Sequence, residues 1–195
     1  SSVSRSFGEF AIENPLYALL YPNVNQQTSQ LNTGPVVGFC AVKDTAALNV
    51  YLKDDAIREF FPVDVKFAYT VKPYDTDGKF VQLVALKITN RDGKPAMEGD
   101  VVTDATQAFG QFASTAEVSM TMNAEGAKQW KRLTAENIGK SVAIVLDGYV
   151  YSYPTVQAEI SGGRSQITGN FTVNEAKDLA NILKSGKLPA PARII

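Results

Sequence analysis

The stretch Ser141 to Pro154, SVAIVLDGYVYSYP, admits few folds. Val142 through Leu146 is apolar without interruption, so an extended chain here has no polar face and is expected inside a sheet rather than at its edge. Asp147-Gly148 supplies the positive φ that a two-residue type I′ hairpin needs. Tyr149 to Tyr153 returns as a partner strand of aromatic and β-branched residues, and Pro154, lacking an N–H for a ladder, closes it. A buried hairpin follows, and nothing in it offers catalytic chemistry.

Around this anchor the chain alternates strand and helix patterns. Residues 1–35 are polar and turn-prone, with Asn14-Pro15, Tyr21-Pro22 and a run of Asn, Gln, Thr and Ser from Asn25 to Gln30, which predicts an arm or long loop. Val36–Val42 reads as a strand, and Asp44 as the N-cap of a helix that carries Leu48, Tyr51, Leu52 and Ile57 and stops at Pro62. Phe60 and Phe61 are expected on its core face, with an exposed docking patch as the other reading. Val63 to Val71 alternates as a strand with one wet face, and Phe80–Thr89, apolar on both faces, is expected to be central. Residues 97–112 give only turns and a short strand near Ala105. Val118, Met120 and Met122 form one face of a strand. Asn123 then caps a helix with Trp130 and Leu133 toward the core, ended by Gly139. A short strand over Arg164–Thr168 precedes the capping box Thr172-x-x-Glu175, with Ala176, Leu179, Ala180 and Leu183 at i, i+3, i+4 and i+7. Gly186 stands as that helix's C′ residue.

Several function classes fall away on composition. Nineteen Lys plus Arg against twenty Asp plus Glu give a net charge of -1, so no basic field attracts nucleic acid. The absence of His excludes Ser-His-Asp and Cys-His catalysis and most zinc sites. Cys40, the single cysteine, sits in the strand-like VVGFCAV and reads as a buried small hydrophobe. Gly162-Gly163 and Gly169 fit no phosphate-loop spacing, and the acidic pairs near Asp54 and Asp75 fit no EF-hand. No apolar run reaches the length of a membrane span. These readings predict no catalytic residue, no metal and no cofactor.

What remains is an α+β binding or structural module, and particular segments take it further. NAEGAKQW at 123–130, LTAENIGK at 133–140, VAIVLDGYVYSYP at 142–154, ISGGRSQITGNFT at 160–172 and EAKDLANILKSGKLPAP at 175–191 together resemble the first periplasmic region of the SecD and fused SecDF family. Residues 36–117 resemble the head of that region with less distinctive motifs. The resemblance implies a mixed or antiparallel sheet head with packed helices over 36–155, whereas the arm or loop over 1–35 rests on composition alone. It also implies the C-terminal half of a ferredoxin-like base over 156–195, with the upstream half expected before residue 1 and a membrane span after Ile195.

Functionally it implies a Sec translocon accessory subunit on the periplasmic side of the bacterial inner membrane. Such a subunit helps draw emerging preprotein across, using the proton gradient, with the SecYEG channel as partner through the full-length membrane protein. A periplasmic peptide- or ligand-binding module is the alternative, and a cryptic enzyme the third reading. Contact with many unfolded substrates calls for adaptable apolar and aromatic surface. Phe109, Phe112, Tyr149, Tyr151 and Tyr153 are the candidates, each also readable as a structural residue. With half a base missing, residues 156–195 are expected to dock in a non-native way or to self-associate through the apolar helix face.

Overall fold

The computed structural model describes residues 14–110 and 115–185, together with the backbone of Arg193–Ile194. The fold is α+β, and it divides into two compact units, residues 1–85 and 86–195.

In the first unit, helix α1 (Pro15–Leu19) leads into strand β1 (Leu20–Pro22), followed by β2 (Val36–Ala41), helices α2 (Thr45–Lys53) and α3 (Asp55–Arg58), β3 (Val65–Thr70) and β4 (Phe80–Lys87). The strands lie in the order β1-β2-β4-β3, so β4 is central, as its two apolar faces predict. β1 runs antiparallel to β2 with Tyr21 opposite Phe39 and Leu20 opposite Cys40. Gly38 permits that approach, since a Cβ there would stand 2.6 Å from the Tyr21 carbonyl oxygen. The core is small: Cys40, Leu48, Tyr69, Val81 and Leu83 are buried, with Leu16, Leu19, Leu20, Leu52 and Phe67 packed against them. Residues 14–22, expected as arm or loop, therefore carry a helix and a strand that join this core.

The helix expected to run from Asp44 to Pro62 is broken in two. Asp54 leaves the helical conformation and its carboxylate accepts from the Ala56 N–H at 2.9 Å, which starts α3 afresh. The reset turns Phe60 outward, 85% exposed, where a continuous helix would have faced it inward. Val63 lies before β3 begins and is fully exposed, so the alternation read from Val63 to Val71 starts late.

The second unit contains β5 (Val102–Phe109), β6 (Ala116–Met122), helix α4 (Ala124–Glu136), β7 (Ile144–Leu146), β8 (Tyr149–Ser152), β9 (Arg164–Phe171) and helix α5 (Val173–Lys184). Strands β5, β6 and β9 form an antiparallel sheet with β6 in the middle. The segment expected to hold only turns and a short strand is thus the eight-residue β5, hydrogen-bonded along its length. Its apolar positions are too sparse to show a period, and pairing with β6 decides it. Asn123 caps α4 by accepting from the Gly126 N–H at 2.8 Å. Gly126 is required by packing, because a Cβ would meet Val101 Cβ at 2.7 Å. Both halves of the Thr172–Glu175 capping box are present at the start of α5.

The anchor hairpin forms, with β7 antiparallel to β8 and left-handed φ values of 48° at Asp147 and 80° at Gly148. One expectation about it fails. Among the described strands β7 pairs with β8 alone and spans three residues. Val142, Ala143 and Ile144 are buried by core side chains instead of by a strand on each side.

Packing joins the segment after residue 156 to the strands before it. Strand β9 and helix α5, both within 156–195, complete the sheet and core that β5 and β6 begin. Ala176, Leu179, Ala180 and Leu183 are buried inside the chain, 0–3% exposed, which corrects the expectation that this face needs a non-native or intermolecular partner. Strands β5 and β6 supply its cover. Gly186 and the Leu188–Pro191 tail lie outside the described residues, whereas Arg193–Ile194 form a last strand, β10, opposite Lys87 and Leu86.

Candidate docking groove

The residues singled out for substrate contact do not form one surface. Tyr149 and Tyr151 alternate along β8 with the buried Val150 and Ser152, so both point to the same side of the strand, and Tyr153 follows the strand's end. Only Tyr149 is exposed. Tyr151 is half-buried against the core, and burial, with the nearby Asp147 and Asp178 carboxylates, raises its hydroxyl pKa. Phe109 is exposed at the end of β5, on a different strand, and Phe112 lies outside the described residues.

A better constellation lies in the first unit, and most of it was expected to be core. Leu16, Leu20, Val37, Leu52, Phe61 and Phe67, with the buried Leu83, line an apolar cavity of about 220 Å³. Phe61 stands edge-on to Phe67 with ring centroids 5.0 Å apart, a favourable geometry that fixes both rings in the wall. Leu52, Phe61 and Phe67 also line a wider trough of about 860 Å³. Its rim carries Lys53, Arg58 and Lys66 together with Asp55 and Glu59, so both charge signs border an apolar floor. Phe60 and Val63 stand exposed beside it. The trough is bordered by residues on both sides of the break at Asp54, and Leu52 and Phe67 are half-covered.

The arrangement suits binding by shape and apolar contact. The thiol of Cys40 is buried in the core of this unit, and burial, helped by Asp44, pushes its pKa up to about 11. At neutral pH it is therefore a protonated, inert side chain. Among the described residues of this unit, Asp75 is the other group with a shifted pKa. Its carboxylate accepts from the N–H of Phe80 at 2.7 Å and of Lys79 at 3.1 Å, which lowers its pKa and ties down the turn before β4. Both shifts have structural causes. The signal for the groove was in the sequence as Phe60-Phe61 beside Pro62, but helical periodicity assigned those rings to the core.

The family model described as SecDF, P1 head subdomain, matches residues 75–190. The protein translocase subunit SecD of Rhodothermus marinus is 41% identical over 182 residues, covering 93% of this chain and 28% of that protein. SecDF of Thermus thermophilus is 43% identical over 102 residues, or 52% of this chain and 14% of the relative. A solved structure described as a membrane component SecDF that enhances protein export is 30% identical, covering all of this chain and 76% of its own, with a TM-score of 0.44. At that score the spatial likeness carries no argument, and the sequence matches stand by themselves. This chain spans well under a third of the first of these relatives, and no helix among the described residues is long and apolar enough to cross a membrane.

Proposed function

The chain belongs to the SecD/SecDF family of protein-translocase subunits, and from that membership we propose that it contacts unfolded preprotein during export, through the groove of the first unit. The observation that supports this reading is the pairing of an apolar cavity with a trough whose rim carries both charge signs. An extended client lays an apolar side chain against Leu52, Phe61 and Phe67 while its charged residues, of either sign, remain solvated or paired at the rim. No single rim charge selects the client, which suits a site that must accept many sequences. Proton-driven transport, the SecYEG partner and the periplasmic setting belong to the longer protein and enter here as part of the same proposal.

The test is site-specific photocrosslinking with an unfolded export substrate. Probes at Phe60 and Val63 should label the substrate, and Phe61→Asp should abolish that labelling. Labelling confined to residues 156–185, or spread evenly over the surface and indifferent to Phe61→Asp, would refute the groove as the contact.

A further inference from the structure

The apolar cavity of the first unit is built in part by the residues with which the described chain begins. Leu16 and Tyr17 of α1 and Leu20 and Pro22 of β1 line it. Its side chains Leu16, Leu20, Leu52, Phe61 and Phe67 are half-buried, so it opens to solvent. Among the described residues that line it, only Tyr17 carries a polar side-chain atom, which suits neither an ion nor a cluster of waters. An apolar cavity of about 150 Å³ holds a benzene ring, so one of about 220 Å³ has room for a single phenyl group. The edge-on pair of Phe61 and Phe67 offers that group aromatic contacts as well.

A phenyl group is tethered close by. Residues 1–13 read SSVSRSFGEFAIE, and Phe10 stands six residues before Leu16. Six residues of extended chain span at most about 20 Å, enough for Phe10 to fold back onto a cavity that Leu16 and Leu20 line. Phe7, three residues further away, closes a longer loop at a slightly greater entropic cost. A tether this short holds its own ring at an effective concentration of millimolar order, whereas a client or a second copy arrives only at its free concentration. Charge agrees in sign. The adjoining rim sets Lys53, Arg58 and Lys66 against Asp55 and Glu59, and the segment sets Glu9 and Glu13 against Arg5.

We propose that the chain's own N-terminal segment docks the Phe10 ring in this cavity, and that a client entering the groove displaces it. The contact is an internal competitor: it covers the apolar walls between clients and yields to a segment that binds better than a single tethered ring. The inference deepens the preprotein reading and rests on it only for the displacement.

NMR of the 195-residue chain with labelled leucine methyls and phenylalanine rings is the test. NOEs should join the Phe10 ring to the Leu20 and Leu83 methyls and should persist on dilution. Phe10→Ser should remove the ring-current shifts of those methyls, and Phe7→Ser should leave them in place. With the tethered competitor gone, Phe10→Ser should also raise client photocrosslinking at Phe60 and Val63 at least about threefold. The NOEs of the parent chain decide the docking even where Phe10→Ser folds poorly. Their absence, their loss on dilution, as for a ring supplied by a second copy, or their transfer to Phe7 would overturn the proposal. So would client crosslinks that are present and equally strong in the parent and in Phe10→Ser. Phe10 NOEs without any client crosslink at Phe60 and Val63 would overturn the groove reading alone, and crosslinks without Phe10 NOEs would overturn this one alone.

Discussion

The two units draw on similar lengths of similarly apolar chain and use it differently. In residues 86–185, Met97, Val118, Met120, Met122, Trp130, Ile167 and the inner face of α5 close into one continuous core. In residues 14–85 the buried set is short, and Val50, Phe60, Val63 and Tyr74 face solvent. The difference arises from how the helices meet their sheets. α5 is capped at its N-terminus, unbroken, and presents one face of small and branched residues to β5 and β6. α2 and α3 are interrupted at Asp54, and between them they bury only Leu48. A closed core resists deformation, whereas a half-covered one leaves apolar surface available to a ligand.

Truncation at matched leucine and phenylalanine positions is the sharpest way to break this contrast. Leu179→Ala removes a side chain that is 1% exposed, and it should destabilise the second unit by about 3 kcal/mol. Phe60→Ser, at an 85% exposed ring, should change stability by less than about 0.5 kcal/mol while reducing substrate crosslinking. Urea denaturation followed by amide exchange at Val118 and Val81 reads the two units separately. Comparable losses from both substitutions would show that the first unit is as closed as the second.

A smaller effect is expected from Gly126→Ala. The added methyl must displace Val101, whose Cβ lies 2.7 Å from the new atom, so overpacking should cost about 1–3 kcal/mol despite alanine's better helix propensity. Thermal unfolding of the variant checks the sign. A stabilised protein would mean that α4 sits loosely and that the second core is less tight than its burial implies.

The smallest effect concerns acid. Asp75 has a folded pKa lowered by the Phe80 and Lys79 N–H groups, so its contribution is present above the unfolded pKa near 3.8 and is lost as pH falls through the folded value. The first unit should therefore weaken below about pH 4. Asp75→Asn should be slightly less stable than the parent at pH 7 and should show less of this acid-dependent loss. Reaction of Cys40 with a thiol reagent at intermediate urea, possible only when its unit opens, is the readout, and identical pH profiles for parent and variant would contradict it.

Local rules in the sequence determined the elements whose signals are complete within a few residues. Asp147-Gly148 set the hairpin turn, Asn123 and Thr172 set two helix starts, and Val118, Met120 and Met122 set a strand face, because turns, caps and alternation depend on near neighbours. The absence of His bounded the chemistry without any fold at all. Tertiary structure decided the rest. β5 has too few apolar residues to declare itself and becomes a strand only through its ladder to β6. The partition of the chain follows which strands α5 covers, a long-range choice that motif boundaries do not contain. Phe60 and Phe61 were assigned inward by a 3.6-residue period that holds only while the helix continues, and one aspartate accepting one backbone hydrogen bond ended it. Asn137 Oδ1, buried with no hydrogen-bond partner among the described residues, is the extreme case, since whether a polar atom finds a partner depends on everything that packs around it.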